Sequence, residues 1–353
     1  MQYVFSFCDN LAMENIIHGA NPENLYREFN IVMPEKIFDF STNTNIISWP
    51  KLEINLELLA SNYPDPDCRE LTNLISEREN INPDRILFTN GINEAIFLTS
   101  MLFCQNLSVD KSTSPLSNGR LGILQPCYSE YSRAFVGAID VFDIERAGDF
   151  EIFILTNPNN PTGKYFDNLS EFIKRFSDTL FIIDEAYRDF LIHGEKLEKL
   201  CEFENVILLR SLTKIFHLSG VRIGYVIASE KIISAMKKFQ PSWSVNSIAQ
   251  ELALKFLNDK EFYERTRKFY SDITPKFIKS LEKANFEIMK SSVHYFLIRV
   301  ENDIDVIKFL LKSGIVVRHT RNFKGLEGKY IRVATRFEDE NKILVEKLEE
   351  IKS

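Results

Sequence analysis

Lys214 lies in SLTKIFHLSGVRIGY, with a serine three positions before it, apolar residues on both sides and Arg222 further along. An amine that sheds water beside other cations has a lowered pKa and can act as a nucleophile near neutral pH. A solvated surface loop is the plainer reading of the same residues. Asp184 closes the apolar run LFIID, where a carboxylate costs free energy unless it is paired or hydrogen-bonded. It could also cap a helix beginning EAYRDFL. Tyr187 would bring a phenol to the same place. In NPNNPTG two prolines could fix Asn160 as a hydrogen-bond donor, although turn formers this dense also make a bare loop. TNGINEAI sets Gly91 and Ile92 at the start of an apparent helix. Free N–H groups and a positive helix end there would suit a phosphate, or simply make a turn and cap. The five cysteines (Cys8, Cys68, Cys104, Cys127 and Cys201) show no CxxC spacing, so reduced thiols are expected and no metal site.

These residues need elements to carry them. RILFT, LGILQ, EIFIL, LFIID, VILLR and RIGYVIA, between Arg85 and Ala228, are nearly continuous in apolar character. That suits strands buried on both faces of a mainly parallel sheet. Helical patterns such as INEAIFLTSMLF and LSEFIKRF separate them, as crossover connections would. In open α/β sheets, ligands bind beyond the carboxyl ends of the strands. The residues there are Asn90–Asn93, Pro126–Tyr128, Asn157–Gly163, Asp184–Tyr187 and Ser211–Lys214, and each group is polar or aromatic. NLSVDKSTSPLSNGR (Asn106–Arg120) has no period and reads as a surface loop or insertion. After Pro241 the texture changes. Helices expected at Ser247–Asn258 and Lys260–Asn285 lead to HYFLIRV, a further helix, GIVVRHT and YIRVATR, a second and smaller α+β unit.

A net charge of −7 without a basic run excludes the phosphate-neutralising surface of a nucleic-acid binder, so any bound anion must be held by a few local arginines. No apolar run is long enough to cross a bilayer, and the start has neither a basic n-region nor a clear cleavage site. A cytoplasmic protein is expected, with no nucleic-acid or membrane partner.

In this order, NPNNPTG, DEAY and SLTKIFHLSGVRIGY resemble the motifs of the fold-type I pyridoxal-phosphate enzymes, the aspartate-aminotransferase superfamily, over nearly the whole chain. The resemblance implies a large α/β domain over residues 41–255, a small C-terminal domain over 256–353, and an N-terminal arm over 1–40 that contributes to the substrate site. It implies pyridoxal 5'-phosphate as cofactor, with Lys214 as its covalent attachment. Ser211, Arg222 and the Gly91–Ile92 amides would hold the phosphate, Asp184 would face the pyridine nitrogen, Asn160 and Tyr187 would bond the ring 3-oxygen, and Tyr128 would stack on the ring. Tyr63, in NYPDPD, resembles the tyrosine that reaches across a homodimer to the partner's cofactor phosphate.

Within the superfamily, NYPDPD, GIVVRHT and YIRVATR are similar to histidinol-phosphate aminotransferases. HGANPENLYREFN followed by IFDFSTNTN, and VRHTRNFKGLEGKYIRVATR, are similar to cobalamin-pathway threonine-phosphate decarboxylases. The second resemblance is preferred. It implies decarboxylation of L-threonine O-3-phosphate or L-serine O-phosphate to the amino-alcohol phosphate that links the nucleotide loop of a cobamide. It puts His18, Asn21, Asn160, Arg318 and Arg332 on the substrate, with Arg321 and Arg336 as possible helpers and His217 as a structural residue. The chain departs from the pattern at Ala20, where a second glycine is expected, and at His319–Thr320–Arg321, a more basic stretch than usual that bears on the phosphate pocket. The two arginines are not assignable separately to phosphate and carboxylate from spacing.

Overall fold

Alternate residues of the apolar runs face opposite sides of one sheet and build a core on each. The computed structural model describes residues 21–104, 120–192 and 199–352, so His18 and nearly all of the polar stretch before Arg120 lie outside the described residues. A short strand β1 (Phe38–Asp39) precedes the sheet strands β2 (Ile86–Thr89), β3 (Leu121–Leu124), β4 (Ile139–Val141), β5 (Ile152–Thr156), β6 (Leu180–Asp184), β7 (Val206–Ser211) and β8 (Gly224–Ile227). These last seven lie in the order β2-β8-β7-β6-β5-β3-β4. Only β8 runs antiparallel to its neighbours β2 and β7. The expected mainly parallel sheet is therefore present. The edge strand β4 was not foreseen, because its three residues include a carboxylate and a half-exposed isoleucine and make no apolar run.

Phe153, Leu155, Phe181, Ile183, Val206 and Leu208 point to one core. Ile152, Ile154, Ile182, Ile207 and Leu209 point to the other. Helices cover both faces, among them α1 (Gly91–Cys104), which packs Ala95, Ile96 and Leu98 into the second core. Burying each such side chain contributes on the order of 1.5–3 kcal/mol, so the alternation itself fixes which way every strand-end residue points.

The C-terminal unit is built on an antiparallel sheet of β9 (Tyr295–Arg299), β12 (Tyr330–Ala334) and β11 (Arg318–His319), in the order β11-β12-β9. A further strand, β10 (Ile315–Val316), pairs in parallel with β1 and ties the N-terminal residues to this unit. Helices α2 (Ser247–Asn258) and α3 (Lys260–Lys283) lie where the periodicity predicts them, followed by α4 (Asp303–Lys312) and α5 (Glu338–Lys352). The Asn246 side chain accepts from the Ala249 N–H and the Asp259 carboxylate from the Phe262 N–H, which caps both long helices. α3 spans two cores: Phe262 and Tyr270 pack with the large sheet, Phe277 and Leu281 with the small one.

Candidate active site

The carboxyl ends of β5, β6 and β7, the start of α1, the segment after β1 and the turn after β11 surround one cavity of about 330 Å³. Ile92, Tyr128, Asn160, Asp184, Tyr187, Ser211, Lys214, Arg222, Arg318 and Arg332 all line it, although they span most of the chain.

β7 runs straight into a one-turn helix, Leu212–Ile215, that holds Lys214 half-buried at the wall. The segment after β1 fixes this turn: the Asn45 N–H donates to the Lys214 carbonyl at 2.9 Å, and its carboxamide donates to the Ile215 carbonyl at 2.9 Å. Burial, then the charges of Arg222 and Arg332, bring the Lys214 ammonium down to about 8, with Asp184 opposing. At that value roughly a tenth of the amine is neutral at pH 7, far more than for an ordinary lysine, which favours a nucleophile.

Asp184 ends β6 on the face of Ile182, pointing into the cavity. Its Oδ2 accepts from the Tyr131 hydroxyl at 2.8 Å and its Oδ1 from the Ala186 N–H at 2.8 Å. Burial raises its pKa to about 6 against those two bonds and the Lys214 charge. A cationic group lying on this carboxylate would relieve that cost. Tyr131 escaped notice in the sequence, although it sits one helical turn beyond Tyr128 after β3. Burial pushes the Tyr187 phenol up to about 12, so it is a neutral donor.

The start of α1 forms an anion cup with the loop after β7. Gly91 has φ 74°, and a Cβ there would stand 2.7 Å from the Arg222 guanidinium, so only glycine lets the helix start meet that side chain. Arg222 itself adopts φ 59°, a conformation that is uncommon for residues other than glycine, and donates to the Ser219 carbonyl at 3.0 Å. The Ser211 and Thr213 hydroxyls, 2.7 Å apart, complete the cup.

Arg318 and Arg332 face each other across β11 and β12. Arg332 donates to the Asn160 side-chain oxygen at 2.6 Å and to the Ser41 carbonyl at 2.8 Å. Arg318 donates to the Asn322 side-chain oxygen at 2.9 Å and lies over the Phe323 ring, 5.6 Å from its centre. Among the described residues no carboxylate pairs with Arg222, Arg318 or Arg332, so the cavity carries more positive than negative charge. Burial and then Arg332 lower the Arg318 guanidinium to about 9, the signature of two cations awaiting an anion.

Other expected residues fall elsewhere. Asn21 occupies the N-cap position of the helix Pro22–Glu28 without a side-chain capping bond, exposed and outside the cavity lining. Tyr63, expected at a partner's cofactor, is 82% exposed and packs its ring, tilted by 35°, against Trp243 at 4.7 Å, away from this lining. The two suggested helpers are neutralised outside the cavity: Arg321 pairs with Asp303 at 2.6 Å and Arg336 with Glu340 at 2.9 Å. His217 is exposed. Asn43 and Asn322 also line the cavity from loops; they fall inside the family-like segments IFDFSTNTN and VRHTRNFKGLEGKYIRVATR, which pointed to the segments and not to these two side chains. No group of metal-binding side chains occurs among the described residues, and no described helix is long and apolar enough to cross a membrane.

Residues 54–348 match the family described as aminotransferase class I and II. The chain is 29% identical to the adenosylcobalamin biosynthesis bifunctional protein CobDQ of Leptospira interrogans over 93% of its own length, but spans only 40% of that relative. It is 30% identical to the histidinol-phosphate aminotransferase of Methanococcus aeolicus, over 95% of each protein. It is 28% identical to the threonine-phosphate decarboxylase of Salmonella typhimurium, over 97% of this chain and 98% of that one. Among solved structures, that of the histidinol-phosphate aminotransferase from Clostridium acetobutylicum superposes with a TM-score of 0.76 at 26% identity, covering 88% of this chain and 98% of that one.

Proposed function

The chain belongs to the class I and II aminotransferase family, and on that premise we propose that it is a pyridoxal-phosphate-dependent carboxy-lyase acting on an O-phospho amino acid, threonine phosphate or serine phosphate. The family implies the cofactor, and the residues fit it. The anion cup at Gly91, Ser211 and Arg222 suits its phosphate, Asp184 its ring nitrogen, Asn160 and Tyr187 its ring oxygen, and Lys214 its aldehyde. When bound, pyridoxal phosphate supplies an electron-withdrawing ring that stabilises the electron pair left at the substrate's Cα when a bond there breaks.

The observation that carries the reading is the pair of buried guanidinia, Arg332 and Arg318, that meet no carboxylate among the described residues and are held from different elements. Arg332 is tied to Asn160 beyond β5 and its charge bears on Lys214, whereas Arg318 is tied to Asn322 in the turn after β11. A substrate that brings its nitrogen to Lys214 must set its α-carboxylate next and any side-chain phosphate farthest away. Arg332 therefore takes the carboxylate and Arg318 the phosphate. Arginine suits both tasks, because its fork bonds either oxyanion in a bidentate manner.

In this reading Arg332, itself held by Asn160 and Ser41, orients the Cα–carboxylate bond, and that orientation selects which bond breaks. Asp184 stays ionised beneath a cation and fixes its position. The Cα–carboxylate bond breaks, carbon dioxide leaves, and the Lys214 nitrogen returns a proton to Cα. One proton is consumed for each carbon dioxide released. The names of the Leptospira and Salmonella relatives support decarboxylation and a role in cobalamin biosynthesis. The Methanococcus relative supports aminotransfer as the second reading. The working unit is a homodimer in which Tyr63 reaches the partner's cofactor phosphate, a placement its exposure favours.

Purified holoenzyme incubated with O-phosphothreonine, O-phosphoserine or, separately, histidinol phosphate plus 2-oxoglutarate tests the reading. Carbon dioxide release without an oxoacid is expected. Glutamate formation that depends on the oxoacid would replace decarboxylation with aminotransfer. The threonine and serine substrates differ by one methyl group, worth about 1–3 kcal/mol in a pocket, so a preference of tenfold or more between them would identify the natural one.

A further inference from the structure

Arg318 is held in an unusual way for a buried guanidinium. Its Nη1 meets the His319 Nε2 at 2.5 Å and its Nη2 donates to the Asn322 side-chain oxygen, while the Phe323 ring lies beneath. All three partners are neutral. Consecutive side chains on a strand ordinarily point to opposite faces. Here the strand is only two residues long, and the turn after it brings the imidazole back onto its neighbour. Thr320 fixes that turn: its N–H donates to Asp303 and its hydroxyl to the Tyr330 carbonyl at 2.7 Å. Nε2 can accept from Arg318 only when the ring proton sits on Nδ1, a buried atom with no hydrogen-bond partner among the described residues. Burial and the charges of Arg318, Arg321 and Arg332 bring the imidazole down to about 3, so it stays an uncharged acceptor.

We propose that His319 is a specificity-determining positioning residue that aims the Arg318 guanidinium into the cavity without neutralising it, so that this subsite selects a dianionic, phosphate-class head group. The inference rests on the placement of the substrate phosphate at Arg318 in the preceding reading. An acid at position 319 would hold the guanidinium equally well but would cancel its charge. The neighbouring arginine shows the contrast, since Arg321 meets Asp303 and is spent on structure. Arg332 directly across the ladder is a second unneutralised cation. Together they favour a ligand with one negative charge for Arg332 and about two for Arg318, which a phosphate monoester supplies near neutral pH.

The test measures binding without turnover. Holoenzyme is reduced with borohydride to fix the cofactor, and dissociation constants for O-phospho-L-threonine and L-threonine are obtained by calorimetry for the wild type, His319→Gln, His319→Leu and His319→Glu. A glutamine oxygen can accept from Arg318, so His319→Gln should stay within about threefold of wild type for the phosphorylated ligand. His319→Leu should weaken it about tenfold and His319→Glu about a hundredfold, with L-threonine changed less than about threefold throughout. Equal weakening of both ligands, or no change with leucine and glutamate, would overturn the proposal. Should the position-319 variants fail to load cofactor, Asn322→Asp puts a carboxylate on the other guanidinium nitrogen and must produce the same selective loss. If the preceding reading fails and the enzyme is an aminotransferase, carbon dioxide release is absent. The His319 effect then persists for histidinol phosphate measured against histidinol, which separates the two failures.

Discussion

Asp184 and Glu185 are neighbours at the end of β6, yet they serve opposite sides of the sheet. Asp184 lines the front cavity with Lys214 and three arginines that have no acidic partner among the described residues. Glu185 lines a rear cavity of about 380 Å³ with Arg210, Arg188 and Glu79. These four are matched in charge: Arg210 reaches Glu185 at 2.7 Å and Glu79 at 2.6 Å, and Arg188 lies 3.6 Å from Glu79 and 3.8 Å from Glu185. Although burial works against it, Arg188 and Arg210 hold the Glu185 carboxyl below its ordinary range. The two cavities are of similar size and both are rich in arginine. What separates them is charge balance. The rear network closes on itself and holds the ends of β6 and β7 in register, whereas the front set is completed only by anions from outside.

The severest test of this contrast removes the one nucleophile. Lys214→Ala should reduce turnover by at least about a thousandfold, since no other amine lines the front cavity among the described residues. Its unfolding temperature should hold or rise, because a buried amine has been deleted. Carbon dioxide release within tenfold of wild type would remove the basis of the proposed chemistry.

Breaking the rear network should instead cost stability. Arg210→Met leaves Glu185 and Glu79 sharing only the more distant Arg188, a loss of about 3–5 kcal/mol for a buried network broken on one side. Denaturant unfolding reads this loss directly. Turnover per folded, cofactor-loaded molecule should remain within a few-fold of wild type. If Arg210→Met were inactive yet as stable as the wild type, the rear cavity would belong to the chemistry and the contrast would fail.

The matching change at the front is Arg332→Met. It removes an unpaired cation, so stability should hold while kcat/KM for the phosphorylated amino acid falls about a hundredfold, or about 2.7 kcal/mol. Arg222→Met should act differently again, weakening retention of pyridoxal phosphate in dialysis more than it affects the substrate's KM. A variant of Arg332 that binds substrate normally would return the carboxylate to another group.

This balance of charge explains how far the sequence could be followed. Strands buried on both faces are continuous apolar runs, and ligand groups must come after their carboxyl ends, so Asp184, Ser211 and Lys214 were legible from pattern alone. Whether an arginine is free or paired is not written in its own segment. Glu340, four residues beyond Arg336, gave a local hint of pairing, but Asp303 reaches Arg321 from a different helix. Asn43 joins the cavity because Asn45 docks on the Lys214 turn far along the chain, and no period announces such a contact. Tyr131 was within reach, since a residue one turn after Tyr128 had to share its face.

Asp184 gives the smallest and most discriminating prediction, since it is a charge the front cavity holds at a cost. In the apoprotein its carboxyl titrates at about 6, against 3.8 for the unburied group. Between those values the folded state binds the extra proton, so this residue's contribution to stability is greatest below about pH 4 and is lost as pH rises through 6. The loss amounts to about 3 kcal/mol at most, at 1.36 kcal/mol per pH unit. Asp184→Asn keeps the shape, an oxygen for the Ala186 N–H and an amide that can donate to the Tyr131 hydroxyl, but cannot ionise. The variant apoprotein should therefore match the wild type near pH 4 and exceed it by about 2–3 kcal/mol near pH 8, as read from urea midpoints. With cofactor bound, the wild type should regain that difference, because the ring nitrogen brings the cation the carboxylate lacks. An apoprotein difference that does not change with pH would mean that Asp184 is already compensated by the protein, as Glu185 is on the other side of the sheet.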